Sequence, residues 1–383
     1  MIHARYIEEA IAWRRHLHAN PELGFAEFET GDFIGRHLES FGVTVHRGLG
    51  GTGIVGTLSN GSSRRSIAIR ADIDALPIHE ETGAAYASRH AGRMHACGHD
   101  GHTAMLLLAA RLCAEERNFD GTIRFIFQPA EENEGGGRRM VEEGLFRTFP
   151  ADEVYALHNW PALSVGTCVA RDDAMMAAFG TFEIAVEGRG AHGAMPHEGN
   201  DPVVAACQIV GSLQTIASRN VSPLRSAVVS VTQVHSGDAW NVIPERAVIR
   251  GTTRWFDPET GDMLERRIGE IAAKVADAMN CRADLTYERR YPATVNDPRC
   301  AAFAREVAGG VDGISVAESD PSMAAEDFAF MLQACPGAYL WLGSRKEGDN
   351  PGLHSARFDF NDAVMGSGAR LWTALIEARL ASA

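Results

Sequence analysis

Gly121-Thr122-Ile123-Arg124-Phe125-Ile126-Phe127 runs directly into Gln128-Pro129-Ala130-Glu131-Glu132. A short apolar run rich in β-branched and aromatic residues, bounded by Gly and Pro, predicts a buried strand. Just upstream, Thr103 to Ala114 is apolar and turns polar from Glu115, which predicts a buried helix whose first turn begins near Asp100. Helix followed by buried strand is the repeating unit of an α/β layer, and the pattern recurs outward from here. Ser66 to Arg70 predicts a strand ending in Ala71-Asp72-Ile73-Asp74. Val154 to Leu157 predicts one ending at His158, and Ala338 to Leu342 one followed by Gly343 and a loop carrying His354. Helical spacing covers Tyr6 to Leu17, stopped by Asn20-Pro21, and Thr30 to Phe41. The expected fold is therefore α/β with a mostly parallel sheet. Such sheets bind ligands beyond the carboxyl ends of their strands, where Asp72, Asp74, Glu131, Glu132 and His158 fall.

Between about Ala178 and Glu288 the period changes. Thr181 to Glu187 alternates, Asp201 to Ser218 has helical spacing, and Ala227 to Val234 and Ala247 to Arg254 are strand-like. Thr260 to Met279 is helical and Ala283 to Tyr287 alternates again. The order β-α-β-β-α-β is that of the split ferredoxin-like unit. The expectation is an α/β domain of residues 1–177 and 290–383, interrupted by an inserted α+β domain of residues 178–289.

A chain of 383 residues exceeds what one core usually serves, which fits two domains. The net charge of −14 supplies no basic stripe, arguing against nucleic-acid or anionic-membrane partners. The first residues lack an apolar signal core, and no apolar run approaches membrane length. Seven scattered cysteines without paired spacing read as reduced thiols of a cytoplasmic protein.

The chemistry concentrates in Met94-His95-Ala96-Cys97-Gly98-His99-Asp100-Gly101-His102, a loop feeding a helix. Cys97 and His99 can reach one cation if the chain turns between them, and Gly98 permits the turn. With Glu132, His158 and His354 they make five candidate ligands. Thiolate, imidazole and carboxylate together suit Zn, Mn, Co or Ni. Five mixed donors beside further acids fit two metals better than one closed structural zinc site. Glu131 and Glu132 cannot both point the same way, so one can bind metal while the other takes a proton from water. A solvated acidic turn is the alternative. Asp72 and Asp74 can be ligands or orienters of a ligating imidazole, and the reading favours the orienting role for Asp74. In the insert, Gly188-Arg189-Gly190-Ala191-His192-Gly193 marks a loop whose His192 can donate to an oxyanion, or can be an exposed hairpin histidine. Asn241 and Arg254 lie beside strands of the same insert, and Arg254 is either a carboxylate clamp or a surface charge.

Taken together, these motifs make the chain resemble the metal-dependent amidohydrolases that include hippurate hydrolase, bacterial aminoacylases and plant hydrolases of indole-acetyl amino acids. The resemblance rests on Arg15 to Gly24, Arg70 to Pro77, Met94 to His102, Gln128 to Glu132, Leu157 to Pro161 and Gly190 to His197. It extends through Asn241-Val242-Ile243-Pro244, Ala325-Glu326-Asp327-Phe328, and His354 with Phe358 to Asp362. It implies a dinuclear metal centre with ligands Cys97, His99, Glu132, His158 and His354, and Glu131 as general base. It further implies a lid domain that dimerises, His192 acting on the tetrahedral intermediate, often from a neighbouring subunit, and Asn241 and Arg254 holding the substrate carboxylate. The implied reaction is hydrolysis of N-acyl amino acids, with a dipeptidase or carboxypeptidase as the alternative. Trp255 after Arg254 and Glu134 beside the acidic pair depart from the expected pattern.

Overall fold

The computed structural model describes residues 2–132 and 134–382. They form two compact units. The first runs through Met175 and takes in Thr294–Asp320 and the chain from Glu326 onward. Its strands β1 (Thr44–Leu49), β2 (Gly53–Asn60), β3 (Ser66–Asp72), β4 (Gly121–Gln128) and β5 (Glu153–Trp160) join three later ones in an eight-stranded sheet. The order is β1-β2-β4-β3-β5, then Gly337–Gly343, Thr167–Val169 and Ser315–Val316.

The four central strands, β4, β3, β5 and Gly337–Gly343, run parallel to one another. These are the four strands expected from sequence. They read as continuous apolar runs because helices cover both faces of a parallel sheet. Helix α1 (Ala4–Ala19) packs against α3 (His99–Glu116), and α3 packs in turn against Met365–Arg379 and β3. Residues Ala104 to Ala110 of α3 are entirely buried, which explains an apolar run without a polar stripe. Helix α2 (Phe28–Ser40) lies against β1 and β2.

Two features were not anticipated. β1 and β2 form an antiparallel hairpin that extends one edge, and Thr167–Val169 runs antiparallel to Gly337–Gly343 near the other. A hairpin needs only a short connection, whereas a parallel neighbour needs a crossover, so edges are where antiparallel strands are easily added. In addition, β5 continues past Leu157, so His158 sits inside the strand rather than after it.

The second unit is Met176–Ala293 with Pro321–Ala325. Its antiparallel sheet runs in the order Ala227–Ser236, Arg246–Trp255, Ala178–Glu187, Arg282–Tyr291. Helices Pro202–Thr215 and Pro258–Asp277 pack against one another and the sheet, completing the ferredoxin-like β-α-β-β-α-β order. Asp201 and Asp257 cap their first turns, and a proline opens each helix, where the missing N–H costs nothing. Phe182, Ile184 and Val186 alternate into a separate core that also holds Trp255. The unexpected Trp255 is thus a packing residue. Among the described residues no helix is long and apolar enough to cross a membrane.

Candidate metal centre

The parallel strands deliver their acids to one end of the sheet in the first unit. Asp72 closes β3 and Asp74 follows it, while Glu131 and Glu132 follow β4. Cys97 and His99 come from the entry to α3, His158 from β5, and His354 from the loop after Gly337–Gly343. The turn between Cys97 and His99 requires glycine. Gly98 has φ +96°, and a Cβ there would meet Asn159 Nδ2 at 2.3 Å. That same amide donates to the Cys97 carbonyl at 2.6 Å, fixing the loop.

Donor atoms gather in overlapping groups, each within 4.8 Å: Cys97, Glu132 and His354; His99, Glu131 and Glu132; Asp72, His99, His102 and His158. Cys97 Sγ lies 3.4 Å from His158 Nε2, and Glu132 Oε1 lies 3.1 Å from His354 Nε2. His354 itself adopts φ +64°, a left-handed conformation costly for a non-glycine residue, and its amide donates to Ala96 O at 2.8 Å. The five residues expected as ligands are therefore brought together.

Hydrogen bonds determine which histidines are available. His99 Nδ1 lies 2.9 Å from the Asp74 carbonyl and 3.2 Å from Asp74 Oδ1. A carbonyl only accepts, so Nδ1 carries the hydrogen. Nε2, buried and without a hydrogen-bond partner, is left to bind something else. His158 Nδ1 likewise donates to Asn159 O at 2.7 Å, leaving Nε2 toward Cys97. His102 is different. Its Nε2 accepts from Asn159 N at 2.9 Å and its Nδ1 meets Asp72 Oδ1 at 2.6 Å, so both nitrogens are committed. Asp74 also accepts from the Glu132 amide at 2.9 Å through Oδ2, which gives it hold of two donor-bearing segments.

The electrostatics call for cations. One fully buried guanidinium, Arg70, donates to Asp72, Glu326, Asp327 and Gln128, while Asp74, Glu131 and Glu132 add further carboxylates beside the donor groups. Burial opposes a charge on His99, yet Asp72 and Cys97 hold its pKa well above the ordinary value. Cys97 and Glu132 push His354 up to about 10. Burial, then the carboxylates of Glu326, Glu132 and Asp327, hold Glu131 well above the usual carboxylate range. An excess of buried negative charge needs compensation. The soft-to-borderline donors, with an orphaned Nε2 among them, fit two divalent metal ions.

Several contributors lie in the quoted motifs but receive no role from the sequence. Arg70 sits in an apolar strand, and Glu326-Asp327 reads locally as a solvated pair. His102 and Asn159 fix neighbouring donors, and nothing in their spacing marks that role. Glu134, the other departure, is exposed.

In the second unit, Ala191–His192 pairs with Val242–Ile243. His192 Nδ1 accepts from Ala194 N at 3.0 Å, so the exposed Nε2 carries the hydrogen and can donate. His192 and Asn241 line one cleft of about 560 Å³ with Val242 and Glu245. Arg254 is not among its walls. It lies near the far end of Arg246–Trp255, half-buried, with its guanidinium 4.1 Å from the Phe179 ring centroid.

The match to known proteins is extensive. Residues 68–378 fit the model of peptidase family M20/M25/M40. The chain is 40% identical over 365 residues to hippurate hydrolase of Campylobacter jejuni, covering 94% of each chain. It is 41% identical over 350 residues to N-acetyl-L-cysteine deacetylase of Bacillus subtilis, covering 91% of this chain and 83% of that one. A Bacillus subtilis crystal structure described as a dinuclear metal binding peptidase from the M20 family superposes with a TM-score of 0.86. Identity there is 33%, over 99% of both chains. The chain belongs to peptidase family M20/M25/M40.

Proposed function

We propose that the protein is a metal-dependent amidohydrolase that cleaves N-acyl amino acids to a carboxylic acid and a free amino acid. Cys97, His99, Glu132, His158 and His354 hold two divalent ions, with Zn, Mn, Co and Ni all suited to that donor set. When bound, the metals supply Lewis acidity, polarising the amide carbonyl and making water more acidic. Glu131 takes a proton from the attacking water as its oxygen bonds to the carbonyl carbon. It then returns that proton to the amide nitrogen as the C–N bond breaks. Burial and the neighbouring carboxylates of Glu326, Glu132 and Asp327 hold it above the usual carboxylate range, the direction that strengthens a base. Asp74 orients His99, and His192 Nε2–H donates to the developing oxyanion. Arg254 takes the substrate carboxylate, and Asn241, which lies beyond the other end of Arg246–Trp255, joins it from a neighbouring subunit. We assign the inserted unit as the lid through which the protein forms a homodimer, with His192 able to serve a neighbouring subunit.

The observation that carries the reading is the grouping of Glu131 with His99 and Glu132, which sets a second buried acid within 4.8 Å of metal-type donors. A Glu131→Gln variant tests it. Metal content should stay near that of the parent while kcat falls by at least about 10³-fold, the scale expected for losing a positioned base. Near-normal turnover in that variant overturns the assignment. Rates on N-acetyl amino acids, N-benzoyl amino acids and dipeptides, measured side by side, separate acyl-amino-acid hydrolysis from peptidase action.

A further inference from the structure

Glu27 directly precedes α2, where an acidic side chain would ordinarily accept from the helix's first amides. It does not cap that helix. Glu22 does so instead, accepting from Thr30 N at 2.8 Å and Glu29 N at 3.2 Å. The Glu27 carboxylate is fully buried and turns toward the end of β4. Oε1 accepts from the Ala130 amide at 2.9 Å, and Oε2 accepts from Thr52 Oγ1 at 2.5 Å. Thr52 is itself buried.

Ala130 is the residue before Glu131 and Glu132, and it has φ +53°, a conformation L-residues rarely adopt. Such a backbone persists only where its surroundings over-determine it. Here the amide is held by Glu27, and the carbonyl accepts from Gly136 N at 3.0 Å. From below, Gly24 approaches so closely that a Cβ on it would sit 3.1 Å from the Ala130 methyl. The left-handed residue thus stands two positions past the end of the strand, directly before the two acids. Asp74 secures the second of them through the Glu132 amide.

The geometry points to Glu27, steadied by Thr52, as a positioning residue for the reaction. It clamps the Ala130 peptide from behind and so fixes where the Glu131 carboxylate stands. This inference rests on Glu131 being the general base. Displacing a reacting group by about 1 Å can cost on the order of 10²-fold in rate, so releasing the clamp should act on turnover rather than on substrate affinity.

The test uses holoenzyme at saturating metal and measures kcat, KM, metal content and melting temperature for four variants. Glu27→Ala should lower kcat by roughly 10- to 100-fold with KM within about threefold of the parent. Glu27→Gln keeps an acceptor for Ala130 N and a partner for Thr52, and should recover most of that loss. Thr52→Val removes only the support and should lower kcat several-fold at unchanged KM. A parental kcat in folded Glu27→Ala, or a Glu27→Gln variant no better than Glu27→Ala, overturns the inference. Should Glu27→Ala not fold, the other two variants decide: parental kcat in Thr52→Val, or a Glu27→Gln loss as large as tenfold, overturns it. Glu131→Gln distinguishes this failure from failure of the base assignment. If it turns over normally the base assignment is wrong, whereas a dead Glu131→Gln beside an unimpaired Glu27→Ala refutes only the role of Glu27.

Discussion

Replacing Arg70 by Met should destabilise the first unit in a manner that depends on pH. The guanidinium is fully buried in β3 and donates to Gln128 Oε1 and Asp72 Oδ2 at 2.8 Å, Glu326 Oε1 at 2.9 Å and Asp327 Oδ1 at 3.2 Å. Methionine fills much of the same volume and offers no charge. Three interior carboxyls then lose their cation. Each retains a hydrogen bond: Asp72 with His102, Asp327 with Gly137 N and Gln128, Glu326 with Phe328 N. Removing one partner of a buried ion pair typically costs about 3–5 kcal/mol. At about 2–4 °C per kcal/mol for a domain of this size, the melting temperature should fall by roughly 6–20 °C at pH 8. Burial works against ionisation of Asp72, but His99, His102 and Arg70 hold its pKa well below the ordinary value. That contribution is present above the unfolded pKa near 4 and is lost as pH falls. Between pH 8 and 5 the parent keeps that contribution, whereas the variant's uncompensated carboxyls bind protons more readily than in the unfolded chain, so its deficit should shrink on acidification toward pH 5 as protons stand in for the missing guanidinium. Arg70→Lys keeps a charge but cannot span four acceptors, and should fall between the two. Thermal melts followed by near-UV circular dichroism across pH 5–8 provide the assay. An Arg70→Met protein melting within about 2 °C of the parent at pH 8, or a deficit that widens in acid, refutes the reasoning.

Three further outcomes are expected. Asp74→Ala should weaken metal affinity by about tenfold, the low end for losing an outer partner, because the Asp74 backbone carbonyl still holds His99; competition with a chelator reads this, and unchanged affinity counts against the orienting role. Dialysis against a chelator should abolish amide hydrolysis and lower the melting temperature, with Zn, Mn or Co restoring both, whereas full activity in metal-free protein would exclude the metal from the reaction. Burial raises Glu27 from its ordinary 4.5 up to about 7, so the folded state binds the extra proton between those values and parental stability falls as pH rises through that window. Glu27→Gln lacks this slope, and its stability relative to the parent should gain on the order of 3 kcal/mol from pH 4.5 to 7.5 in urea titrations. A pH-independent difference would contradict that assignment.

Much of this architecture could be read from the chain because strand and helix leave periodic traces. The apolar run Ile123 to Phe127 announced β4, and the acids placed just after such runs announced which end of the sheet does chemistry. Phe182, Ile184 and Val186 alternate because one face of their sheet is buried. The β1–β2 hairpin was overlooked because Gly53-Ile54-Val55-Gly56 is interrupted by glycines, although Gly50-Gly51 before it is a turn signal. Arg70 and Glu326 lie 256 positions apart and make sense only as a pair. No local pattern reports a buried charge whose counter-charge is that distant. Asp72 was undecided between ligand and orienter for the same reason: its bonds to Arg70 and His102 are tertiary. Glu27 stands where a helix-capping acid would stand, a position that does not report the three-dimensional path of its carboxylate.

The dispersal of the donors along the chain has a consequence for biosynthesis. His158 and His354 are separated by 196 positions, which at about 5–20 residues per second take on the order of 10–40 s to translate. Throughout that interval a nascent polypeptide carries Cys97, His99 and Glu132 without their last companion. With His354 assigned as a ligand, the proposed centre is completed only late, when the final strand and the loop behind it emerge.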